Sequence, residues 1–255
     1  LPVPEGALRV VSGVLLDTGR MGIRFGPALG LTPPSGQRNH VAALYGLDGA
    51  LIALVAYPFN TLRTGASVGA AVRHLSPDGT LKLGVIGTGR NAVSLIEGIA
   101  CVRTLDDVRV YSRDADRRKR FVDDAGRKLG RALAAVNSCE EAVAGMDIVL
   151  VATSSREPVF DTAWLKPGCL VTSMGPIGEL PPALFLSPGR KVVSSFDQEK
   201  APLRPSFLVD LVREGKVQWA DIDELGDIIT GKSTRAQVPG TVTVFHESAG
   251  GAGDI

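Results

Sequence analysis

Gly87, Gly89 and Ala92 fall in the stretch LKLGVIGTGRNA, residues 81–92, between an apolar run through Leu83, Val85 and Ile86 and a segment from Val93 to Ile99 that reads as a helix. Glycines placed where a strand turns into a helix suit the holding of a pyrophosphate. Gly87 can make the tight turn, Gly89 has no side chain to keep phosphates away, and Ala92, small in place of a third glycine, lets helix and strand pack closely. The first N–H groups of such a helix are unpaired and carry the positive end of its dipole, so an anion is held there without a lysine. Thr88, Arg90 and Asn91 complete this loop and join the glycines as expected cofactor-binding residues. The spacing alone is a weak signal; the strand before it and the helix after it make it a dinucleotide site.

The end of the next apolar run selects the dinucleotide. An NAD-selecting domain presents Asp or Glu there to the ribose 2′-hydroxyl, whereas a 2′-phosphate needs hydroxyls and a cation. Ser112 and Arg113 stand at that place. Arginine holds a phosphate through two parallel hydrogen bonds, and a carboxylate in its place would repel it. NADP(H) is therefore expected, with NAD the less favoured cofactor; the competing reading takes Arg113 as a surface residue and Asp114 as the NAD carboxylate. Later runs end in Thr153-Ser154 and in Met174-Gly175, small or hydroxyl-rich ends that suit a backbone running beside a cofactor, with the nicotinamide expected near Thr153, Ser154 and Met174.

The elements that must position these residues alternate as in a doubly wound parallel sheet. Apolar runs at Val108–Tyr111, Ala132–Val136, Asp147–Ala152, Leu170–Met174, Val192–Ser194 and Val242–Phe245 are interleaved with helical segments at Asp114–Leu129 and Glu140–Ala144. Before them, runs at Leu8–Leu16, Met21–Phe25, Val41–Tyr45 and Leu51–Tyr57 are separated by turn residues at Asp17-Thr18-Gly19, Pro33-Pro34-Ser35-Gly36 and Asp48-Gly49, the spacing of antiparallel strands. A helix is expected over Thr61–Leu75, and the turn Ser76-Pro77-Asp78-Gly79 sets the expected domain boundary.

Composition narrows the function class. The 255 residues are 44% hydrophobic and 22% charged, with a formal net charge of +1, so no nucleic-acid partner is expected, and the basic cluster Arg117–Arg120 reads as the solvated face of a helix. Cys101, Cys139 and Cys169 lack metal-ligand spacing and suit reduced thiols in a cytoplasmic protein; no metal and no catalytic cysteine are expected. No apolar run approaches membrane-spanning length, and the first residues lack the pattern of a signal peptide. Because the chain begins with Leu1, an incomplete N-terminus is expected.

The run NTLRTGASVGAAVRHLSPDGTLKLGVIGTGRNA, followed by VYSRDADRRKRF, DIVLVATSSREPVF, WLKPGCLVTSMG and ELGDIITGK, resembles the ornithine cyclodeaminase and mu-crystallin family, from about Arg9 to Ile255. The resemblance implies an α/β fold: a Rossmann-type doubly wound parallel sheet plus a smaller strand-rich substrate-binding and dimerisation domain. The expected divisions are 1–76 for the strand-rich domain, 77–247 for the dinucleotide domain, and 248–255 for the start of a C-terminal helix returning to the first domain. A homodimer and a small amino- or imino-acid substrate follow from the same resemblance.

Carried over by position, the resemblance places Arg63 of LRT on the substrate carboxylate, as the bidentate geometry of a guanidinium permits, and Thr64 beside the cofactor. Arg24 stands where family members carry lysine; it can bind and polarise, but stays charged and is a poor general acid. The cyclodeaminases also carry an aspartate after the glycine corresponding to Gly175; the loop MGPIGEL has none, and Glu179 reads as structural. The expected activity is therefore NADPH-dependent reduction of a small imino acid, or equivalently amino-acid dehydrogenation, including reductive condensation of an amine with a 2-oxo acid. The alternatives are an ornithine cyclodeaminase-type cyclisation and a non-catalytic NADPH-binding protein of the mu-crystallin kind. His40, His74 and His246 are second-tier candidates, and Trp164 and Trp219 read as packing residues.

Overall fold

A computed structural model of the chain describes residues 2–3, 6–27, 40–57, 59–175, 177–200 and 207–248. It divides into two compact units, the first mainly Leu1–Arg63 and the second Thr64–Ser248.

The first unit is an antiparallel sheet of β1 (Pro2–Val3), β2 (Gly6–Leu15), β3 (Arg20–Pro27), β4 (His40–Gly46) and β5 (Leu51–Tyr57), in that order. Gly19, at φ 66°, closes the expected turn between β2 and β3; the turn expected at Pro33–Gly36 lies outside the described residues. Because side chains alternate across a strand, the register sorts the sheet into two unlike faces. Val10 pairs Phe25, Val14 pairs Met21, and Ile23, Ala43 and Leu54 follow one another across the sheet, which makes one face apolar. Val10, Val14, Ile23, Phe25 and Leu54 on that face are all exposed. The other face carries Arg24 between Val11 and Ala42, with Gly22 and Gly26 on either side along the strand and His40 two residues from Ala42.

In the second unit, α1 (Phe59–Leu75, its first residues in the first unit) leads into β6 (Thr80–Ile86), α2 (Ala92–Ala100), β7 (Thr104–Tyr111), α3 (Ala115–Leu129), β8 (Ala134–Ala135), α4 (Cys139–Val143), β9 (Ile148–Val151) and β10 (Leu170–Ser173). Then come α5 (Ala183–Leu186), β11 (Lys191–Val193), α6 (Phe196–Lys200), α7 (Phe207–Arg213), β12 (Ile222–Glu224), α8 (Leu225–Ile229) and β13 (Thr243–His246). The strands form one parallel sheet in the order β12-β11-β13-β10-β9-β6-β7-β8, so the order reverses between β6 and β9 and opens a crevice at their carboxyl ends. β9 and β10 are buried along their whole length, as expected of strands covered on both faces. This is the Rossmann-type sheet, with the smaller strand-rich unit before it.

The division falls at Arg63/Thr64 and not after Ser76 as the turn had indicated. Val68, Ala71 and Val72 of α1 join the same core as Leu95, Ile96 and Ile99 of α2. Gly65, Gly69 and Gly98 let these helices meet backbone to backbone: a Cβ on Gly98 would stand 2.0 Å from the Gly65 carbonyl oxygen. A turn in the sequence marks where an element ends, not where its apolar face packs. The seven strands and helices α5 to α8, β11 to β13 include β12, which the sequence reading missed; three residues are too short to show a period. Trp164 and Trp219 pack against the second apolar cluster. Among the described residues, no helix is long and apolar enough to cross a membrane, and the expected start of a C-terminal helix lies beyond them apart from Ser248.

Candidate functional site

At the carboxyl ends of β6, β7 and β9 lies a cleft of about 520 Å³. Gly87, Thr88 and Gly89 line it from the turn after β6, Ser112 and Arg113 from the end of β7, and Thr153 and Ser154 from the end of β9. The two glycines differ in what they do. Gly87 sits at φ 108°, and a Cβ on it would stand 2.4 Å from the Ala152 carbonyl oxygen, so the chain itself requires glycine there. Gly89 lies outside the left-handed region, and its nearest neighbour to a Cβ, the Ala152 oxygen, is 3.7 Å away; nothing in the fold demands glycine. Its missing side chain leaves room for a ligand. Ala92 is fully buried under the helix start.

Asn91 and Met174, 83 residues apart, meet where the Asn91 Nδ2 donates to the Met174 sulfur at 3.2 Å. The Asn91 Oδ1 is buried with no hydrogen-bond partner, an acceptor that a cofactor amide or hydroxyl would satisfy. Arg90 is exposed, and Thr64 is buried at the point where α1 crosses α2.

At the far end of the cleft, Asp114 is the N-cap of α3 and accepts from the Arg117 backbone N–H at 2.9 Å. That role uses one oxygen of the carboxylate on which the NAD reading depends, and Asp114 lines the same cleft. The Arg117 side chain, in the first turn of α3, lines the same cleft and donates to the Thr88 carbonyl at 3.3 Å. The expectation that Arg117–Arg120 form a solvated face therefore needs correction. α3 buries Arg118, Val122 and Ala125, spaced four and three apart, so Arg118 falls on the inner stripe. Its guanidinium donates to the Ser112 carbonyl at 2.5 Å and lies 5.4 Å from the centre of the Tyr111 ring. It braces the end of β7, while Arg117 faces the cleft.

Glu179 organises the remaining strand ends. Fully buried in a 3-10 turn over Ile177–Glu179, it accepts from the Thr153 N–H at 2.9 Å and the Thr153 hydroxyl at 2.5 Å, and from the Ser173 hydroxyl at 2.6 Å and the Gly175 N–H at 3.1 Å. Burial pushes its carboxyl up, against the four hydrogen bonds that favour the carboxylate. Glu179 is structural, as its position in the sequence indicated, but what it structures is the site: it ties Thr153 after β9 to Gly175 after β10. Gly175 fits this cradle for want of a Cβ, which would stand 2.5 Å from Glu179 Oε1.

Arg24 and His40 are both buried, on one face of the first unit's sheet. Arg63 is half-buried at the end of that unit. His74 is exposed at the end of α1. Cys169 is buried, and burial foremost pushes its thiol up to about 12, which leaves it inert; Cys101 is exposed, and Cys139 lines the cleft. Among the described residues, no group of three or more His, Cys, Asp or Glu could hold a metal ion.

The model of the ornithine cyclodeaminase/mu-crystallin family matches residues 46–252. The chain belongs to this family. It is 31% identical over 189 residues to a Delta(1)-pyrroline-2-carboxylate reductase of Bacillus cereus, an alignment covering 72% of this chain and 57% of the relative. The chain thus spans a little over half the length of that curated relative. Two solved structures share the family's fold. The Delta(1)-pyrroline-2-carboxylate reductase of Thermococcus litoralis, in complex with NADH and L-proline, matches at a TM-score of 0.73 and 24% identity, over 97% of this chain and 84% of that one. An archaeal alanine dehydrogenase dimer with bound NAD matches at 0.82 and 23%, over 100% and 79%.

Proposed function

We propose that this protein reduces a small imino acid with NADPH, the C=N carbon lying next to the substrate carboxylate. The observation that carries the cofactor choice is the far end of the cleft: Ser112, Arg113 and Arg117 line it with two cations and a hydroxyl, beside Asp114, whose Oδ1 caps α3. Family membership and the imine-reducing relative support the reaction class.

NADPH, when bound, supplies the hydride. The residues do the rest. The glycine turn and the N-terminus of α2 hold the pyrophosphate, and Asn91, Thr153, Ser154 and the Met174–Gly175 segment border the nicotinamide. Arg63 and Thr64 keep the roles that the family resemblance implies, Arg63 clamping the carboxylate through two parallel hydrogen bonds. Arg24 polarises the substrate, and His40, on the same sheet face, supplies the proton the imine nitrogen takes up, since arginine does not give one up near neutral pH. The loop from Gly175 to Glu179 offers no aspartate for cyclising deamination.

The exposed apolar face of the first unit, with Val10, Phe25 and Leu54, supports a homodimer in which a second copy covers it. The free thiols suit a reducing compartment such as the cytoplasm. A second reading, NADPH binding without turnover, is favoured by the Arg24 substitution and the missing aspartate together.

The test follows NADPH absorbance with cyclic imino acids and with 2-oxo acids in the presence and absence of an amine. Substrate-dependent oxidation is expected, falling steeply in Arg63→Ala. Tight NADPH binding with no oxidation across the panel would establish the second reading, and proline formed from ornithine with catalytic NAD would overturn both.

A further inference from the structure

His246, the last residue of β13, is buried with its two ring nitrogens facing two acceptors. Nδ1 lies 2.5 Å from Glu199 Oε1 of α6, and Nε2 lies 3.1 Å from the Gly175 carbonyl oxygen. The N–H of the same Gly175 donates to Glu179. One residue beside the cleft is therefore held at its carbonyl by a histidine and at its N–H by a glutamate, from positions 71 and 4 residues further along the chain.

A neutral imidazole has one N–H and one lone pair. Between a carboxylate and a carbonyl, it would satisfy one acceptor and turn a lone pair on the other. Both contacts are made only when the Glu199–His246 pair holds one further proton, as an imidazolium beside a carboxylate or as a carboxylic acid donating to the ring.

We propose that Glu199 and His246 form a proton-holding clamp that fixes the Gly175 carbonyl, and through it the Met174–Gly175 segment that borders the nicotinamide. The part concerning the nicotinamide rests on the function proposed above. His246 is a positioning residue, acting through Gly175 without touching the cofactor. The clamp is closed while the pair keeps its proton and opens when the proton leaves.

The surroundings set the pH at which that happens. Burial is the largest single influence and opposes the charged ring, but the Glu199 carboxylate, the Gly175 carbonyl and Glu179 together outweigh it and hold the histidine above its usual value. Around the ring, α6 also carries Asp197 and Lys200, whose ammonium lies 4.7 Å from the centre of the Trp219 ring. Glu247, the residue after β13, accepts from Ser67 of α1 at 2.5 Å, and the backbone N–H of Ser194, just past β11, donates to the His246 carbonyl. A group whose folded pKa is raised keeps its proton below that pKa and loses it as pH rises through it. The clamp therefore opens on the alkaline side of the ordinary histidine range.

Two measurements test this. In the free protein, nitrogen NMR of the His246 ring is expected to show the pair protonated at neutral pH, with the Gly175 amide shifting at the same alkaline midpoint as the ring. The dissociation constant of NADPH is expected to weaken roughly two- to tenfold across that midpoint, the worth of one hydrogen bond. His246→Gln should abolish the step, and Glu199→Gln should move it toward ordinary histidine pH. A neutral, singly protonated ring beside an ionised Glu199 carboxylate at neutral pH, or the same alkaline step in His246→Gln, would overturn the clamp. If no dinucleotide binds at any pH, the cofactor reading fails and takes the nicotinamide role with it, while the shared midpoint of His246 and Gly175 still decides whether the clamp exists.

Discussion

Alanine at Gly87 and alanine at Gly89 are the same chemical change two residues apart, and the structure predicts opposite consequences for them. At Gly87 the backbone sits at φ 108°, where an L side chain is strained by about 1–3 kcal/mol. The new Cβ would also lie 2.4 Å from the Ala152 oxygen, so the ends of β6 and β9 must move apart. That separation threatens the bonds from the Gly87 N–H to the Tyr111 carbonyl, 2.8 Å, and from the Ala152 N–H to the Ile86 carbonyl, 2.9 Å. At about 1 kcal/mol each, they bring the expected loss to about 3–5 kcal/mol. In a unit of this size, such a loss lowers the melting temperature by roughly 6–20 °C. At Gly89 the added methyl meets nothing closer than 3.7 Å, and stability should stay within about 0.5 kcal/mol of the parent. The methyl instead occupies the path of the phosphates to the start of α2, and NADPH and NADH should both bind about ten- to a hundredfold more weakly, the loss of one charge-assisted hydrogen bond. Thermal unfolding of the free protein and dinucleotide titration by fluorescence read the two effects separately. If Gly89→Ala melts as low as Gly87→Ala, or binds both dinucleotides like the parent, the division between a glycine needed by the chain and a glycine needed by the ligand is wrong.

Three further outcomes are expected. Arg113→Ala and Arg117→Ala should each weaken NADPH by roughly ten- to a hundredfold, as loss of a charged hydrogen-bond partner does, while leaving NADH nearly unchanged; equal loss for both cofactors would reject the 2′-phosphate assignment. Asp223 is nearly buried, with Arg190 at 2.8 Å and the Ser233 hydroxyl at 2.7 Å; burial would push its carboxyl up, but these partners hold it below the usual range. Asp223→Asn should therefore cost about 3–5 kcal/mol at neutral pH, read by denaturant titration, and this difference should shrink as pH falls through the depressed pKa, where the parent loses the pair as well. Thiol labelling of the native protein should modify Cys101 quickly, Cys139 slowly and with protection by NADPH, and Cys169 only on unfolding.

Local patterns in the sequence carried the parts of this protein that are local in space. The strand–glycine–helix turn at Gly87, the alternation of runs and helices, and the hairpin spacing of the first unit all depend on neighbours within about ten residues, where periodicity speaks. The end of α1 was just as legible, and still misled, because its partner α2 lies twenty-odd residues away and the choice between units is made by Gly65, Gly69 and Gly98 meeting backbone to backbone. Arg118 shows the same limit from another side: a run of four basic residues reads as solvated, yet on a helix one in four of them must point inward when the stripe passes through it.

The supports of the site were the least legible of all, for a reason that bears on how the site works. Glu179 reaches back 26 residues to Thr153, and His246 reaches 71 residues to Gly175. Neither stands in the glycine turn, and neither contacts the cleft's phosphate end, so no motif announces them. They converge because parallel strands deliver their carboxyl ends to one edge, whatever their separation along the chain: Ser173 of β10 is paired with Val151 of β9 on one side and with His246 of β13 on the other. A residue one or two positions past any of those ends is automatically within reach of the others. Buried acidic and imidazole groups can then replace the solvent that would otherwise satisfy the exposed peptide groups there, and they hold those groups without side-chain bulk in the cleft. That is why Gly175 tolerates no Cβ while making hydrogen bonds on both sides, and why a substitution at Glu179 should disturb Thr153 and Gly175 together and not one at a time.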